Sequence, residues 1–470
     1  MTAAATPRRE VQAPKFVIGS ILRHILVMTG SGAVGLMAIF AGDLANIFFL
    51  ARSGEEAVVA AVGYASSILF FSTSIGIGLS IAATSLVSPA LGAGLRVRAR
   101  RLSAHAHVLT FLVSAVLSIG LWFAIEQILT LLGATGRAHA LATGYLMILL
   151  PTLPMLALGM TSSAVLRSVG DARRAMHVTL IGAFVNTILD CVFILSLGWG
   201  ITGAAVASAI ARIAVMGIGL YGVIGVHKLM ARPKLATLMS DAPRFAAVAV
   251  PAVLTNVATP AGNAFVTSAV AHFGDGAVSG WAIVGRIIPV AFGAIYALSG
   301  SVGPILGQNF GARLPGRMRE VLTLSLLVMA EFTGTAWVIL AISADSLANA
   351  FNADGAAHNL IVYFCRDLSP LFIFLGALFI ANAVFNTLGR AQVSTALNWG
   401  KATIGTIPFV MAGAAAGGAN GAVAGNMIGG IAFGIAAVAI AYRLINRIGR
   451  ALDGEETAGG FGFQFDWFNT

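Results

Sequence analysis

The chain has 470 residues, of which 58% are hydrophobic and only 10% charged, with a formal net charge of +10 and a mean hydropathy of +0.90. That is too little polar surface to cover a soluble globule of this length, which excludes a soluble enzyme. Lys and Arg are dispersed among short connections and are not gathered on one face, so nucleic acid is not expected as a partner.

Apolar runs of about 20 residues, each long enough to cross a hydrocarbon core as a helix, recur along the sequence. Their continuity excludes a β-barrel, whose strands alternate polar and apolar residues. Before the first run, MTAAATPRREVQAPK is polar and basic, and the apolar segment after it is too long for a signal-peptide core. The runs predict spans at 25–51, 57–88, 105–132, 140–166, 178–198, 202–226, 246–272, 277–308, 320–343, 359–388, 393–415 and 421–446. The expected fold is therefore all-α, a polytopic membrane protein of twelve transmembrane helices.

The connections alternate in charge. Arg8, Arg9, Lys15 and Arg23 precede the first span, and Arg96, Arg98, Arg100 and Arg101 fill the second connection. Every even-numbered connection repeats this, through Arg167, Arg173 and Arg174, then Lys228, Arg232, Lys234 and Arg244, then Arg313, Arg317 and Arg319, then Arg390 and Lys401. The odd-numbered ones hold only Arg52 and Arg137. The positive-inside rule places both termini in the cytoplasm; the expected location is a plasma membrane, the inner membrane of a bacterium.

Landmarks recur across the long basic connection at 227–245. Ala164–Asp190 (AVLRSVGDARRAMHVTLIGAFVNTILD) is answered by Ala383–Gly400 (AVFNTLGRAQVSTALNWG), SPALGAG by GPILGQNFGAR, and GITGAAVAS at Gly200–Ser208 by GANGAVAGN at Gly418–Asn426. Both halves begin on the same side. They are therefore parallel repeats, two six-helix bundles related by a pseudo-two-fold axis along the membrane normal. The expected units are a cytoplasmic tail at 1–23, a first lobe at 24–226, a linker at 227–245, a second lobe at 246–447 and a cytoplasmic tail at 448–470.

A carboxylate within a span is costly and calls for a reason. Asp43 and Asp190 both fall about 10–12 Å below the outer end of their spans. Asn46 lies three residues from Asp43 and Asn186 four from Asp190, each on the same helical face, while Ser208 falls about 9 Å deep. These five groups form a candidate ion-coupling cluster in the first lobe. In the second lobe Asn263 stands opposite Asp43 and Pro408 opposite Asp190, so the titratable pair has no counterpart there. Glu331, Arg212, Arg286, Arg366 and Asp367 are weaker candidates, as interhelix pairs or snorkelling charges.

Cys191 and Cys365 lie inside predicted spans and are expected as free thiols. The histidines lack metal-ligand spacing, and the sequence holds no Walker A, His-Glu-x-x-His or Gly-x-Ser-x-Gly motif. Neither an enzyme nor a bound cofactor or structural metal is expected, and any transport must draw on an ion gradient.

AVLRSVGDARR, NTILDCVFI, GITGAAVAS and LGQNFGAR, in this order, resemble the landmarks of the multidrug and toxin extrusion (MATE) family, DinF-like branch, over about residues 20–445. The resemblance implies two six-helix lobes and efflux of amphipathic, often cationic small molecules by proton or sodium antiport. It also implies that Asn186 and Asp190 are a coupling pair, with Ser208 where that branch often has Thr. The family's commonest first-helix acid would align near Asn46, one turn from Asp43. The acids of its sodium-coupled branch would fall near Thr259 and Leu375. The expected function is thus a monomeric secondary antiporter exporting small molecules in exchange for protons, with Na⁺ at the Asp190/Asp43 cluster as the alternative ion. The alternative functions are a lipid-linked precursor flippase of related architecture and, from a different class, a non-transporting membrane scaffold or receptor.

Overall fold

The computed structural model describes residues 14–51 and 56–453. Arg8, Arg9, Arg52, Glu55 and the aromatic C-terminal stretch lie outside the described residues.

In the first half, α1 (Ile21–Ala51), α2 (Glu56–Gly92) and α3 (Arg96–Leu131) are the first three spans. The fourth is broken by its prolines: α4 (Gly136–Leu149) and α5 (Leu153–Val169) are joined by a 3-10 turn, Leu150–Thr152, that contains Pro151. Then come α6 (Ala172–Asp190), continued by a π-helical stretch Cys191–Ser196, and α7 (Gly200–Leu220), continued by another at Tyr221–Val226.

The second half opens with α8 (Leu235–Ala271), which begins inside the expected linker, so the connection is helical from Leu235 onward. Next, α9 (Asp275–Ala291) and α10 (Gly293–Gly311) meet at a 50° bend and form one span. After α11 (Pro315–Ala350), α12 (Gly355–Tyr363) and α13 (Phe372–Thr387) are joined by π-helical and 3-10 turns around Pro370. The last helices are α14 (Ala391–Gly400), α15 (Ile407–Ile428) and α16 (Ile431–Leu452).

The run from Ala391 to Leu452 is 62 residues long, about 90 Å if straight and three times a bilayer core. It is instead a hairpin. Gly418 takes φ 62 and ψ −142, a conformation open essentially only to glycine, and reverses the chain. The arms then close so tightly that a Cβ on Gly429 would lie 1.5 Å from the carbonyl oxygen of Gly405. Counting the two arms separately and the bent α9–α10 pair once gives twelve spans among the described residues.

Helix packing repeats between the halves. First with fifth span (α1–α6) is matched by seventh with eleventh (α8–α14 and α8–α15). Second with fourth (α2–α5) is matched by eighth with tenth (α10–α13), and α6–α7 by the hairpin. The halves meet through α2–α8 and α1–α10, which the pseudo-two-fold axis interchanges, and through α2–α10, which lies on it. Large apolar side chains such as Phe123, Phe184, Ile342 and Met411 point outward, as lipid contact requires. Hydrogen bonds joining the halves cluster at the end that carries the basic connections. There Gln308 Nε2 donates to Ser168 O at 2.7 Å, and Asp241 Oδ2 meets His105 Nδ1 at 2.7 Å and Arg101 Nε at 3.3 Å.

Candidate functional site

The polar residues of the first lobe resolve into two linked groups. In α6, Asn186 sits one turn before Asp190 and donates Nδ2 to Asp190 Oδ2 at 2.8 Å. From α1, Asn46 Nδ2 donates to the same oxygen at 2.8 Å. Asp190 is fully buried at 0% exposure, and its Oδ1 has no hydrogen-bond partner among the described residues. One oxygen thus accepts from two amides that fix the carboxyl group. Asp190 is also the last α-helical residue before the π-helical stretch at Cys191. Such an irregularity at membrane depth commonly marks a functional position.

Asp43 is placed differently from Asp190. It is exposed and bonds none of the other four predicted residues among the described contacts, although it is close enough to act electrostatically on Asp190 and on Tyr145. Ser208 does not bond Asp190 either; it stands near the Tyr145 hydroxyl, brought in by α4. The expected single cluster is therefore an Asn46–Asp190–Asn186 triad beside a Tyr145–Ser208 pair.

Tyr145 was not among the sequence candidates. Its hydroxyl lies within electrostatic reach of Asp190, Asp43 and Arg212. Arg212, one turn beyond Ser208 on α7, donates Nη1 to Leu149 O at 2.9 Å and to Thr152 Oγ1 at 3.0 Å. It binds the carbonyl freed at the proline break of the fourth span. The spacing of Ser208 and Arg212 was available in the sequence; the approach of α4, which delivers Tyr145, was not.

The second lobe corrects one assignment. Lys401, expected in a basic connection, lies inside the eleventh span, ten residues from its start and so about 15 Å in. The basic alternation misled because Lys401 was counted with Arg390. Its Nζ donates to Asn426 Oδ1 at 3.0 Å, and Thr406 Oγ1 reaches the same oxygen at 3.2 Å. Asn426 is the residue that answers Ser208 in the repeat, so matching hairpins carry an acid in one lobe and a cation in the other. Asn263 and Pro408 are exposed. Arg366 pairs with Asp345 at 2.6 Å, Glu331 is exposed on α11, and Cys191 and Cys365 are free thiols. Among the described residues no three His, Cys, Asp or Glu side chains gather as a metal site.

Residues 22–192 and 251–411 match the MatE family model, one block in each half. The chain is 28% identical over 429 residues to a FAD transporter of Shewanella oneidensis, covering 90% of this chain and 94% of that protein. It is 23% identical over 366 residues to the multidrug export protein MepA of Staphylococcus saprophyticus, covering 77% and 80%. The crystal structure of the Vibrio cholerae MATE transporter VcmN in the bent form superposes with a TM-score of 0.84 at 23% identity, over 92% of this chain and 98% of that one.

Proposed function

The chain belongs to the MatE family of membrane transporters, and from that premise we propose that it is a secondary antiporter that exports small amphipathic molecules in exchange for protons. The observation that carries this reading is Asp190, a fully buried carboxyl group held by two amides through one oxygen and unpartnered at the other. An ionisable group within a membrane span is retained for function by default. With the basic connections in the cytoplasm, the triad lies in the outer half of the membrane, where a proton from outside reaches it. Proton uptake at Asp190 and release after the lobes rock against each other couple the gradient to export. Asp43 contributes through its field, and Tyr145 with Ser208 relays changes at the acid to α4 and α7.

The multidrug-exporting relative supports a broad substrate class. A second reading, an anionic substrate such as a flavin nucleotide, is favoured by Lys401 inside the second lobe and by the FAD-transporting relative. In proteoliposomes the wild-type protein is expected to move a fluorescent cation, or FAD, in exchange for protons flowing down an imposed pH gradient in sodium-free buffer. Transport that needs a sodium gradient and ignores pH would contradict proton coupling, and the preferred probe separates the two substrate readings.

A further inference from the structure

The segment that precedes α1 is docked into both lobes at the basic end. Phe16 is 1% exposed, although it lies outside every span. Its backbone N–H donates to Gln308 Oε1 at 2.8 Å, and its carbonyl accepts from Asn309 Nδ2 at 3.2 Å and Arg317 Nη2 at 3.0 Å, all in the second lobe. Arg317 Nη2 also reaches Gly19 O at 3.2 Å. On the first lobe's side Lys15 Nζ donates to Gly170 O at 2.7 Å. Gly170 has φ +88, and a Cβ there would stand 2.6 Å from Lys15 Cδ and 3.1 Å from Phe16 Cζ. Gln308 completes the bridge by donating Nε2 to Ser168 O.

Two stretches that the sequence singled out as landmarks, SVGD and LGQNFGAR, thus form the two walls of one socket. Neither takes part in the acid cluster. The Gln308, Asn309 and Arg317 side chains on one wall and the Gly170 carbonyl on the other hold a backbone segment, and the aromatic ring of that segment fills the seam between the lobes.

We infer that Lys15–Gly19 is a latch that holds the basic end of the two lobes closed, and that each transport cycle must release it. The inference rests on the alternating-access reading of the lobes. If the lobes separate at this end, Phe16 cannot keep both walls, and its three bonds to Gln308, Asn309 and Arg317 or the contact at Gly170 must break. Weakening the latch shifts the population toward the state open at the basic end by on the order of tenfold, the effect of one or two net hydrogen bonds with their packing.

The test is a pair of spin labels at Arg173→Cys and Arg319→Cys, exposed positions on α6 and α11 at that end. It uses the full chain in nanodiscs with Cys191 and Cys365 replaced by Ala. Phe16→Ala is expected to add a longer-distance population, Arg317→Gln to do the same with the ring retained, and Phe16→Leu to restore much of the wild-type distribution. Monodispersity on gel filtration controls for folding. Distance distributions in Phe16→Ala and Arg317→Gln identical to the wild type would overturn the latch. They would leave proton coupling at Asp190 standing, because that is read separately from efflux.

Discussion

Two amide groups from different helices converge on a single oxygen of Asp190, so the triad ties α1 to α6 as well as orienting the acid. Replacing Asn46 with Ala leaves a buried polar group short of one donor, a loss of about 1–3 kcal/mol. The variant is expected to melt lower in detergent and to transport more slowly while still folding. Lys401→Gln tests the cation of the second lobe: efflux of an anionic probe such as FAD should fall on the order of tenfold, as for loss of a charge-assisted bond, with a fluorescent cation little affected. Equal loss of both would assign Lys401 to packing. Asp171 caps α6 outside the membrane, its carboxylate bonded by Arg174 N at 3.1 Å, by the Arg174 guanidinium and by His227 Nε2 at 2.8 Å. Burial works to raise its pKa, but these bonds outweigh burial and hold it below the ordinary 3.8. A depressed folded-state pKa means stability that is present above 3.8 and lost as pH falls through the folded value. Asp171→Ala should therefore cost about 1 kcal/mol at neutral pH, with the gap in melting temperature closing in acid. The triad was legible in the sequence because i, i+4 spacing and matched depth are properties of single helices. Tyr145 was not, because it depends on which helices touch; Lys401 was counted among the basic residues of a connection although the expected span 393–415 already contained it.

Spans were legible from apolar run length; Pro151 and Pro370 lie in the 3-10 joints of the fourth and tenth spans. Other prolines act less visibly. Pro251 and Pro260 lie within α8, which remains one continuous helix, and Pro251 O accepts the Thr395 hydroxyl at 2.8 Å, joining α8 to α14. The start of α8 was set eleven residues late because HKLMARPKLATLMSD is too polar to read as membrane, although its helix continues there. The hairpin of the eleventh and twelfth spans depends on Gly418. Gly418→Ala forces a side chain into φ 62, ψ −142, at a cost of about 1–3 kcal/mol. It should lower the apparent melting temperature more than Gly417→Ala, whose φ of −142 suits any residue. Equal effects of the two would contradict a turn built on left-handed glycine.

The whole molecule is two structurally parallel lobes with unequal chemistry. The repeats and basic alternation conveyed the duplication, and the absence of acids opposite Asp43 and Asp190 conveyed the inequality. How the halves dock, through α2, α8, α1 and α10, could not be read from either, since a repeat states what is alike and says nothing of the interface between copies. A gradient drives such a machine only if the ion binds the two conformations with different affinity, and Asp190 is where the account places that difference. The most direct measurement compares wild type with Asp190→Asn in proteoliposomes under an imposed pH gradient and no sodium, using a fluorescent cation and FAD in parallel. Gradient-driven efflux is expected in the wild type and, in a variant that remains monodisperse, loss of the pH-driven component to background. Normal pH-driven efflux in Asp190→Asn would contradict it, leaving Asp190 as a packing residue.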